Sequence, residues 1–316
     1  MNDNKQGSTG MFDVSIVIVS WNVREYLADC LRSVCNDLVK SQLHGETWVV
    51  DNASTDGTVS LVKALYPQVH VVDNEKNTGF AAANNQGMLA ASEAKPRYYF
   101  LLNPDTFIRP GAIKELVTCL DERPKAGIAG ARLIYGDGRF QHSAFYFPGL
   151  GQLMFDLMPM PSRLYESRLN GRYARRKVQP RRNPFKVYHP LGETLMVRAD
   201  VAESTHGFDE SFHMFCEEID WSWRVREAGW DIYAVPSAEV IHYGGESTSQ
   251  VPADTVVNLW SSRAMLYQKH HGRVRYALAS KLVTKAMKRK ASSVSDPELS
   301  QAYKQVATIW SPNGSK

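Results

Sequence analysis

The chain has 316 residues, 43% of them hydrophobic, and a formal net charge of +4. This size suits a globular enzyme built from one large domain with an appendage, or from two closely fused domains. The longest apolar runs, residues 15–21 and 98–102, are far shorter than the roughly 20 residues that cross a bilayer, and residues 1–12 are too polar for a signal peptide. We therefore expect a cytoplasmic protein with a flexible N-terminus at residues 1–12.

The cysteines indicate neither a disulfide framework nor a zinc site. None of them has CxxC spacing, and all lie in segments that read as core, so we expect reduced structural thiols. They are Cys30, Cys35, Cys119 and Cys216.

The positive charge is concentrated in two segments. Residues 162–186 contain nine basic residues and one acid, and residues 255–295 contain nine basic residues and no acid, so the rest of the chain is acidic. Two basic patches suit an anionic membrane surface or a polyphosphate ligand. Solvated loops and a basic tail explain either patch alone equally well.

Apolar runs alternate with amphipathic stretches through the first half of the chain. This βαβ repetition predicts an α/β fold with a doubly wound, mostly parallel sheet, whose ligand site lies at the carboxyl ends of the strands. The predicted strands cover residues 15–21, 47–51, 69–72 and 98–102. The predicted helices cover residues 24–36, 58–65 and 80–91, with another opened by Pro110-Gly111 towards Leu120.

The regular pattern weakens after Gly136. Residues 150–186 predict a mobile insertion or loop with a short helix. A strand at 191–198, a helix at 217–228 and strands at 231–235 and 239–243 follow. Residues 258–289 have helical propensity, with a stripe of apolar residues among lysines and arginines. That stripe is Leu278, Leu282 and Ala286.

The first polar segment of interest follows the strand at residues 47–51. A carboxylate at Asp51 can accept the imide N–H of uracil or thymine, while Ser54 and Asp56 lie in a turn that can cap the next helix. Turn formation and capping are the simpler explanation of this segment taken by itself. A weaker polar cluster follows at Asn77-Thr78-Gly79-Phe80, with Asn84 and Asn85 in the next helix.

Asp105 emerges at the carboxyl end of the strongly apolar strand at residues 98–102, after Asn103 and Pro104. A hard divalent cation prefers oxygen ligands and usually keeps diphosphate oxygens and water in its shell, so one protein carboxylate can begin a site. An aspartate after a strand is also a common turn residue.

Glu217, Glu218 and Asp220 begin a predicted helix, whose dipole stabilises carboxylates and favours one ionised group near neutral pH. An ionised carboxylate there could take the proton from an acceptor hydroxyl. Acidic residues are common at the start of any surface helix, but the surrounding aromatic residues favour a cleft. His242 ends another strand, and it suits a metal ligand, a phosphate contact or a hydrogen-bonded structural residue.

Taken together and in this order, these segments resemble the inverting glycosyltransferases of family 2, which have a GT-A fold, over residues 14–272. Within that family the chain is similar to bacterial rhamnosyltransferases. The matching segments are SIVIVSWN, VVDNASTDGT, NTGFAAANNQG, LLNPDT, GFDESFHMFCEEIDWSWRVREAGW and VIHYGGEST.

The resemblance implies a role for each candidate residue. Glu218 becomes the first choice for the general base, with Glu217 and Asp220 as neighbours that position it, although many members have Asp where Glu218 stands. Asp105 becomes the aspartate of a DxD-type motif that binds Mg²⁺ or Mn²⁺, although Asn103 replaces the first acid of that motif, and His242 becomes a further metal or diphosphate contact. The implied nucleotide-binding residues are Ser20, Asn22, Asp51, Ser54, Asn84 and Asn103.

The resemblance also implies a domain plan. Residues 13–250 would form the GT-A catalytic domain, and residues 251–316 a basic amphipathic helical tail. The catalytic domain would contain a nucleotide-sugar half at 13–135, a basic insertion at 150–186 and an acceptor half at 187–250.

The implied activity is transfer of a sugar from a nucleotide-diphosphate donor to a hydroxyl of a glycan or polyprenyl-diphosphate-linked acceptor in cell-wall or surface polysaccharide synthesis. L-Rhamnose from dTDP-rhamnose is the leading donor, and galactofuranose, mannose and glucose fit the same motifs. The basic segments would hold the protein peripherally on the cytoplasmic face of an anionic membrane. The sequence indicates no oligomeric state.

Three other classes compete with this interpretation. A nucleotidyltransferase would need a glycine-rich, lysine-containing phosphate loop after the first strand, and residues 20–24 contain no glycine. A non-catalytic nucleotide-sugar binder would lose its base, whereas Glu217, Glu218 and Asp105 are all present. A nucleic-acid binder ranks last because the basic patches lack interleaved aromatic platforms, so we expect no nucleic-acid partner.

Overall fold

The computed structural model describes residues 12–158, 161–165, 167–180, 182–244 and 250–311. Within these ranges, ten strands form one mixed sheet. They are β1 (Val14–Ser20), β2 (Gly45–Asp51), β3 (His70–Asp73), β4 (Tyr98–Leu102), β5 (Thr106–Ile108), β6 (Ala126–Ile134), β7 (Phe140–Gln141), β9 (Phe185–Val187), β11 (Thr194–Arg198) and β12 (Asp231–His242). Two further strands, β8 (Ala144–Phe145) and β10 (His189–Pro190), pair with each other.

The order of strands in the main sheet is β3-β2-β1-β4-β11-β6-β12-β5, with β7 beside β6 and β9 beside β12. The first four strands run parallel, so their carboxyl ends meet at one edge. Strand β11 lies antiparallel between β4 and β6, so its start meets the end of β4. The sheet edge therefore collects residues from both halves of the chain.

Helices cover both faces of the sheet. One face packs against α1 (Arg24–Ser41), α2 (Thr58–Leu65) and α4 (Ala112–Asp121). The other packs against α3 (Phe80–Ala91), α7 (Ala199–Ser204) and α8 (Glu217–Glu227). Strand β1 shows why its sequence is continuously apolar, since Ile16 and Ile18 enter the first core and Val17 and Val19 the second. The predicted α/β fold of GT-A type is confirmed in this two-faced arrangement.

Three helices follow the sheet, namely α9 (Pro252–His270), α10 (Arg273–Ser293) and α11 (Pro297–Ile309). They enclose a separate core that includes Trp260, Tyr267, Met287 and Trp310. Helix α5 (Leu150–Leu157) contributes Leu153 to the same core. A short helix, α6 (Ser162–Tyr165), follows α5. The C-terminal helical region is thus a packed unit, and the segment predicted as a loop at residues 150–186 supplies part of its core.

Two local expectations differ from the structure. The helical propensity at residues 258–289 is divided between α9 and α10, because the chain turns at Gly272, which precedes α10 in an extended conformation. The strands predicted at 231–235 and 239–243 form the single strand β12. Its register against β6 shifts between Val235 and Glu239, where Pro236 lacks the N–H that a regular ladder needs.

Among the described residues, no helix is long and apolar enough to cross a membrane. The four cysteines are free thiols, as predicted.

Candidate active site

A cleft lies at the carboxyl edge of the parallel strands. The backbone N–H of Asn103, just after β4, donates to the carbonyl of Glu193, just before β11, over 3.0 Å. Helix α8 begins beside them. The lining residues are Val19, Trp21, Asn52, Asn77, Phe80, Asn103, Pro104, Asp105, Gly192, Glu193, Met214, Phe215, Glu217 and Glu218.

The ends of β1 and β2 carry the predicted nucleotide residues. Ser20 and Asp51 are paired in register, and Oδ2 of Asp51 accepts the backbone N–H of Ser54 at 2.8 Å. Its other oxygen, Oδ1, is buried without a hydrogen-bond partner in the described part of the chain, as is the Ser20 hydroxyl. Burial raises the pKa of Asp51. An orphaned carboxylate oxygen at this position is suited to accept a base N–H.

Asn22 and Ser54 support each other in this region. The backbone N–H of Asn22 donates to Oγ of Ser54 at 2.9 Å, and Oδ1 of Asn22 accepts the N–H of Thr55 at 2.8 Å. Asn84 is buried in α3 and donates to the carbonyl of Phe80 at 2.9 Å. Of the six predicted nucleotide residues, Asn103 lines the cleft itself.

Asp105 and His242 form a buried pair. Nε2 of His242 lies 3.4 Å from Oδ1 of Asp105, and its Nδ1 lies 3.0 Å from Nε2 of Gln141. The two residues meet because β12 pairs with β5 directly after Asp105, with His242 opposite Thr106. Burial lowers the pKa of His242, but the carboxylates of Asp105 and Glu193 raise it more, so the net shift is upward.

Glu217 and Glu218 enter the cleft from the first turn of α8, and both are buried. Burial raises the pKa of Glu218 to about 7, and the charge of Glu193 adds to that rise. Burial and the charge of Glu218 raise the pKa of Glu217 further. The dipole at the start of α8 was expected to keep one carboxylate ionised, but for these two residues desolvation is the larger effect.

Asp220 points away from the cleft towards α9. Its carboxylate accepts from Nε of Arg224 at 2.8 Å, from Nζ of Lys269 at 2.8 Å and from Nε2 of His270 at 2.7 Å. Burial raises the pKa of Asp220, but these donors outweigh it and hold the pKa at about 2. Asp220 is therefore absent from the lining of the cleft, and its contacts connect α8 to α9.

The turn that leads into α8 has an unusual backbone. Phe215 and Cys216 both have positive φ angles, of 70° and 66°. The hydroxyl of Ser262 in α9 donates to the carbonyl of Met214 at 2.7 Å. On the other side, Gly79 lies so close to His213 that an added Cβ would be 2.5 Å from the His213 carbonyl oxygen. The turn that carries Glu217 and Glu218 is thus held from both α9 and the start of α3.

Sequence reasoning missed one acidic residue of the cleft, Glu193. Its signal was weak, since it is a lone glutamate beside the apolar run Thr194–Arg198. Burial raises its pKa, and its Oε2 is a buried atom.

The residues present fit a divalent cation that also binds substrate oxygens. Among the described residues, no three His, Cys, Asp or Glu side chains form a ready-made metal cage. The Asp105 carboxylate and Oδ1 of Asn103, which is buried and has no partner within the described chain, nevertheless provide the hard oxygen donors that Mg²⁺ and Mn²⁺ prefer. Neither lysine nor arginine is among the lining residues of the described chain, so a bound diphosphate would need another source of positive charge.

This α/β sheet, with carboxylates around a cleft at its strand ends, is the arrangement expected of a GT-A glycosyltransferase. A family model described as glycosyl transferase family 2 matches residues 15–188, more than half of the chain. The chain therefore belongs to glycosyl transferase family 2, and the predicted family is confirmed.

Relatives and solved structures agree with this assignment. The N-acetylglucosaminyl-diphospho-decaprenol L-rhamnosyltransferase of Mycobacterium tuberculosis is 31% identical over 71% of this chain and 75% of its own length. The low-salt glycan biosynthesis hexosyltransferase of Haloferax volcanii is 25% identical over 90% of this chain and 86% of its own. The crystal structure of GalNAc-T7 with UDP, GalNAc and Mn²⁺ has a TM-score of 0.58 at 14% identity, and the match covers 96% of this chain and 57% of that one. The protein is thus a glycosyltransferase with GT-A-type structural neighbours.

Proposed function

We propose that the protein is an inverting rhamnosyltransferase that uses dTDP-L-rhamnose and glycosylates a hydroxyl of a polyprenyl-diphosphate-linked glycan in cell-wall or surface polysaccharide synthesis. The observation that carries the transferase mechanism is the meeting of Asp105 with the Glu217–Glu218 pair in one cleft. The mycobacterial relative, whose name specifies L-rhamnose and a lipid-linked acceptor, supports the choice of donor and acceptor.

In the proposed reaction Glu218 is the general base. Its carboxylate takes the proton of the acceptor hydroxyl, and the hydroxyl oxygen forms a bond to the anomeric carbon of the donor sugar. The bond from that carbon to the diphosphate oxygen breaks, and its electron pair leaves with the nucleoside diphosphate. Attack on the face opposite the leaving group inverts the anomeric configuration.

We assign Glu218 rather than Glu217 as the base because it stands where many family members have their catalytic aspartate and because it packs against Gly192 of the cleft. A base must be ionised in use, and burial raises the pKa of Glu218 to about 7, whereas the pKa of Glu217 is raised well above its usual range. The charge of Glu218 contributes to the raised pKa of Glu217, so the two carboxyl groups titrate as a coupled pair.

We propose Mg²⁺ or Mn²⁺ as the cofactor, held by Asp105 with support from His242 and Asn103. Bound there, the cation would compensate the negative charge of the departing diphosphate. His242 contacts the Asp105 carboxylate and so orients it. Ser20, Asn22, Asp51 and Ser54 are the proposed nucleotide contacts.

The test is release of nucleoside diphosphate from a panel of nucleotide sugars, with and without Mg²⁺ or Mn²⁺, in the presence of lipid-linked acceptors. The panel contains dTDP-L-rhamnose and the nucleotide forms of galactofuranose, mannose and glucose. Metal-dependent turnover of dTDP-L-rhamnose supports the proposal. Turnover of another donor would correct the identity of the sugar in this proposal. Donor binding without any turnover would favour a non-catalytic binder.

We also propose that the protein binds peripherally to an anionic, cytoplasmic membrane face through α10. Val274, Leu278 and Leu282 are large apolar side chains that are exposed on this helix, by 75%, 48% and 40%. The helix also carries seven lysines and arginines and no acid. An apolar stripe within a cationic helix suits the headgroup region of an anionic leaflet, where a polyprenyl-linked acceptor would also lie.

A further inference from the structure

Glu193 is a carboxylate of the cleft with no role in the steps proposed so far. Its backbone carbonyl accepts from Asn103, which fixes it beside the loop that carries Asp105. Its Oε2 is buried, and within the described ranges this atom has no hydrogen-bond partner. A buried carboxylate oxygen without a donor costs free energy, so the site is completed when a ligand supplies one.

The other side of this segment touches the proposed base. A Cβ added to Gly192 would lie 3.4 Å from Cβ of Glu218 and 3.8 Å from its Cδ. Glu193 therefore lies between the Asp105 loop and the start of α8. In a transferase the sugar being moved must lie between the metal-bound diphosphate and the acceptor base, and this is the position of Glu193.

We propose that Glu193 contacts the transferred sugar and accepts a hydrogen bond from one of its ring hydroxyls. A hydroxyl is the donor that a nucleotide sugar offers at this point, and its hydrogen bond to a carboxylate is charge-assisted. The inference rests on the proposed transferase function and deepens it by naming a sugar-recognition residue.

Two other roles for Glu193 fit the structure less well. A third metal ligand would be grouped with Asp105 and His242, but no such three-residue group occurs among the described residues. A purely structural carboxylate would have its outer oxygen satisfied by the protein, as Asp220 has.

The experiment compares two ligands that differ only by the sugar. Calorimetry in Mg²⁺ measures the affinity of wild type, Glu193→Ala and Glu193→Gln for dTDP-L-rhamnose and for dTDP, without acceptor. We expect Glu193→Ala to weaken the binding of dTDP-L-rhamnose by roughly 10- to 100-fold, the range for a hydrogen bond to a charged group. Its affinity for dTDP should equal that of wild type. Glu193→Gln retains an accepting oxygen and should lose less. Glu203→Ala, an exposed glutamate on α7 beyond β11, is the matched control and should change neither affinity.

Three results would overturn the inference. If the variant binds both ligands equally more weakly, Glu193 supports metal binding or the stability of the fold instead. A melting curve of the variant separates these two roles. If the variant binds both ligands as tightly as wild type, Glu193 makes no contact with the sugar. The same conclusion follows if wild type binds dTDP-L-rhamnose and dTDP with equal affinity. If the donor panel selects another nucleotide sugar, the rhamnose proposal fails, and the same paired titrations with that sugar and its own diphosphate still test Glu193.

Discussion

At the scale of single residues, the acidic pair at the start of α8 is defined by burial. Desolvation raises the pKa of a carboxylate because the charged form loses its water. Here that effect is larger than the stabilisation from the helix dipole, and it brings the pKa of Glu218 to about 7. Burial also raises the pKa of Glu217, so neither acid behaves like a carboxylate in water.

A pH profile follows from the raised pKa of Glu218. The base works when it is ionised, so kcat/KM should rise as the pH increases through about 7 and level off above it. In Glu218→Gln that rising limb should disappear. Initial rates between pH 5 and 9 with saturating metal measure the profile. A rate that falls with pH across this range would contradict a carboxylate base.

The Glu218→Gln variant should still bind the donor but should lose turnover. Removal of a general base typically costs about 10²- to 10⁴-fold in rate, and the neutral amide still fills the same space. Diphosphate release and donor calorimetry measure the two quantities. Glu210→Gln, an exposed glutamate before α8, is the control and should retain the wild-type rate. Near-normal turnover in Glu218→Gln with a large loss in Glu217→Gln would reverse the assignment of the base.

Asp105→Asn tests the metal assignment at the same scale. The amide retains the shape of the side chain but lacks the charge that attracts a hard cation. We expect the Mn²⁺ concentration for half-maximal activity to rise at least about tenfold, which corresponds to roughly 1.4 kcal/mol of binding free energy. Titration of Mn²⁺ against diphosphate release measures this. An unchanged metal dependence would place the cation elsewhere.

At the scale of elements, α8 is fixed to α9 through Asp220. Three donors from two helices converge on this fully buried carboxylate, and Ser262 of α9 also holds the turn before α8. The C-terminal helices are therefore part of the support of the active site. Movement of α9 would displace the turn at Phe215 and Cys216 and with it Glu217 and Glu218, the proposed catalytic pair.

Asp220→Asn should lower stability and activity together. Removing one partner of a buried ionic network typically costs on the order of 3 kcal/mol, and the partial exposure of Lys269 and Arg224 reduces that figure here. Urea unfolding and turnover at a permissive temperature measure the two effects. Asp209→Asn, which shares Lys269 but is more exposed, should cost less. An equal loss in both variants would contradict the anchoring role.

The carboxylate of Asp220 should also make the stability of the protein depend on pH in acid. The pKa of Asp220 is about 2 in the fold and 3.8 in its ordinary state, so the folded state binds its proton less tightly. Its stabilisation is complete above pH about 4 and is lost as the pH falls towards 2. The difference in the free energy of unfolding between wild type and Asp220→Asn should therefore shrink as the pH falls from about 4 towards 2. A constant difference would contradict it.

At the scale of the whole molecule, the basic helix α10 packs with α9 in the C-terminal core, and α9 in turn holds the turn before α8. Truncation after Gly272 would remove Met287 and Trp310 from that core, so it would not isolate the membrane contact. Surface substitution is the sharper test. The predicted stripe at Leu278 and Leu282 is exposed, while Ala279 and Val283 beside it are buried.

The double variant Leu278→Ser/Leu282→Ser should bind anionic vesicles at least about tenfold more weakly, since it removes apolar area from the lipid contact. Sedimentation with phosphatidylglycerol-containing vesicles measures binding, and vesicles of phosphatidylcholine alone test the charge requirement. Leu89→Ser, at an exposed leucine on α3, is the control. Equal binding by the double variant and wild type would exclude α10 as the contact.

Much of the sheet could be predicted from the sequence, because local patterns determine these elements. The helices Thr58–Leu65 and Phe80–Ala91 and the strand Tyr98–Leu102 have the predicted bounds, since each has a clear apolar period and a glycine or polar boundary. The continuity of β12 and the packing of α5 into the C-terminal core were not predicted. Both depend on partners distant in the chain, β6 for the first and the C-terminal core for the second.

The sequence by itself determined the family, the GT-A fold and the candidate residues Asp105, Glu217, Glu218 and His242, because these depend on residue types in a fixed order. Only the tertiary structure showed that Asp220 faces α9, that Glu193 enters the cleft and that desolvation raises the pKa of both acids. These properties depend on which side chains exclude water and supply donors around a group. Such neighbours come from strands and helices far apart in the chain, and local patterns carry no record of them.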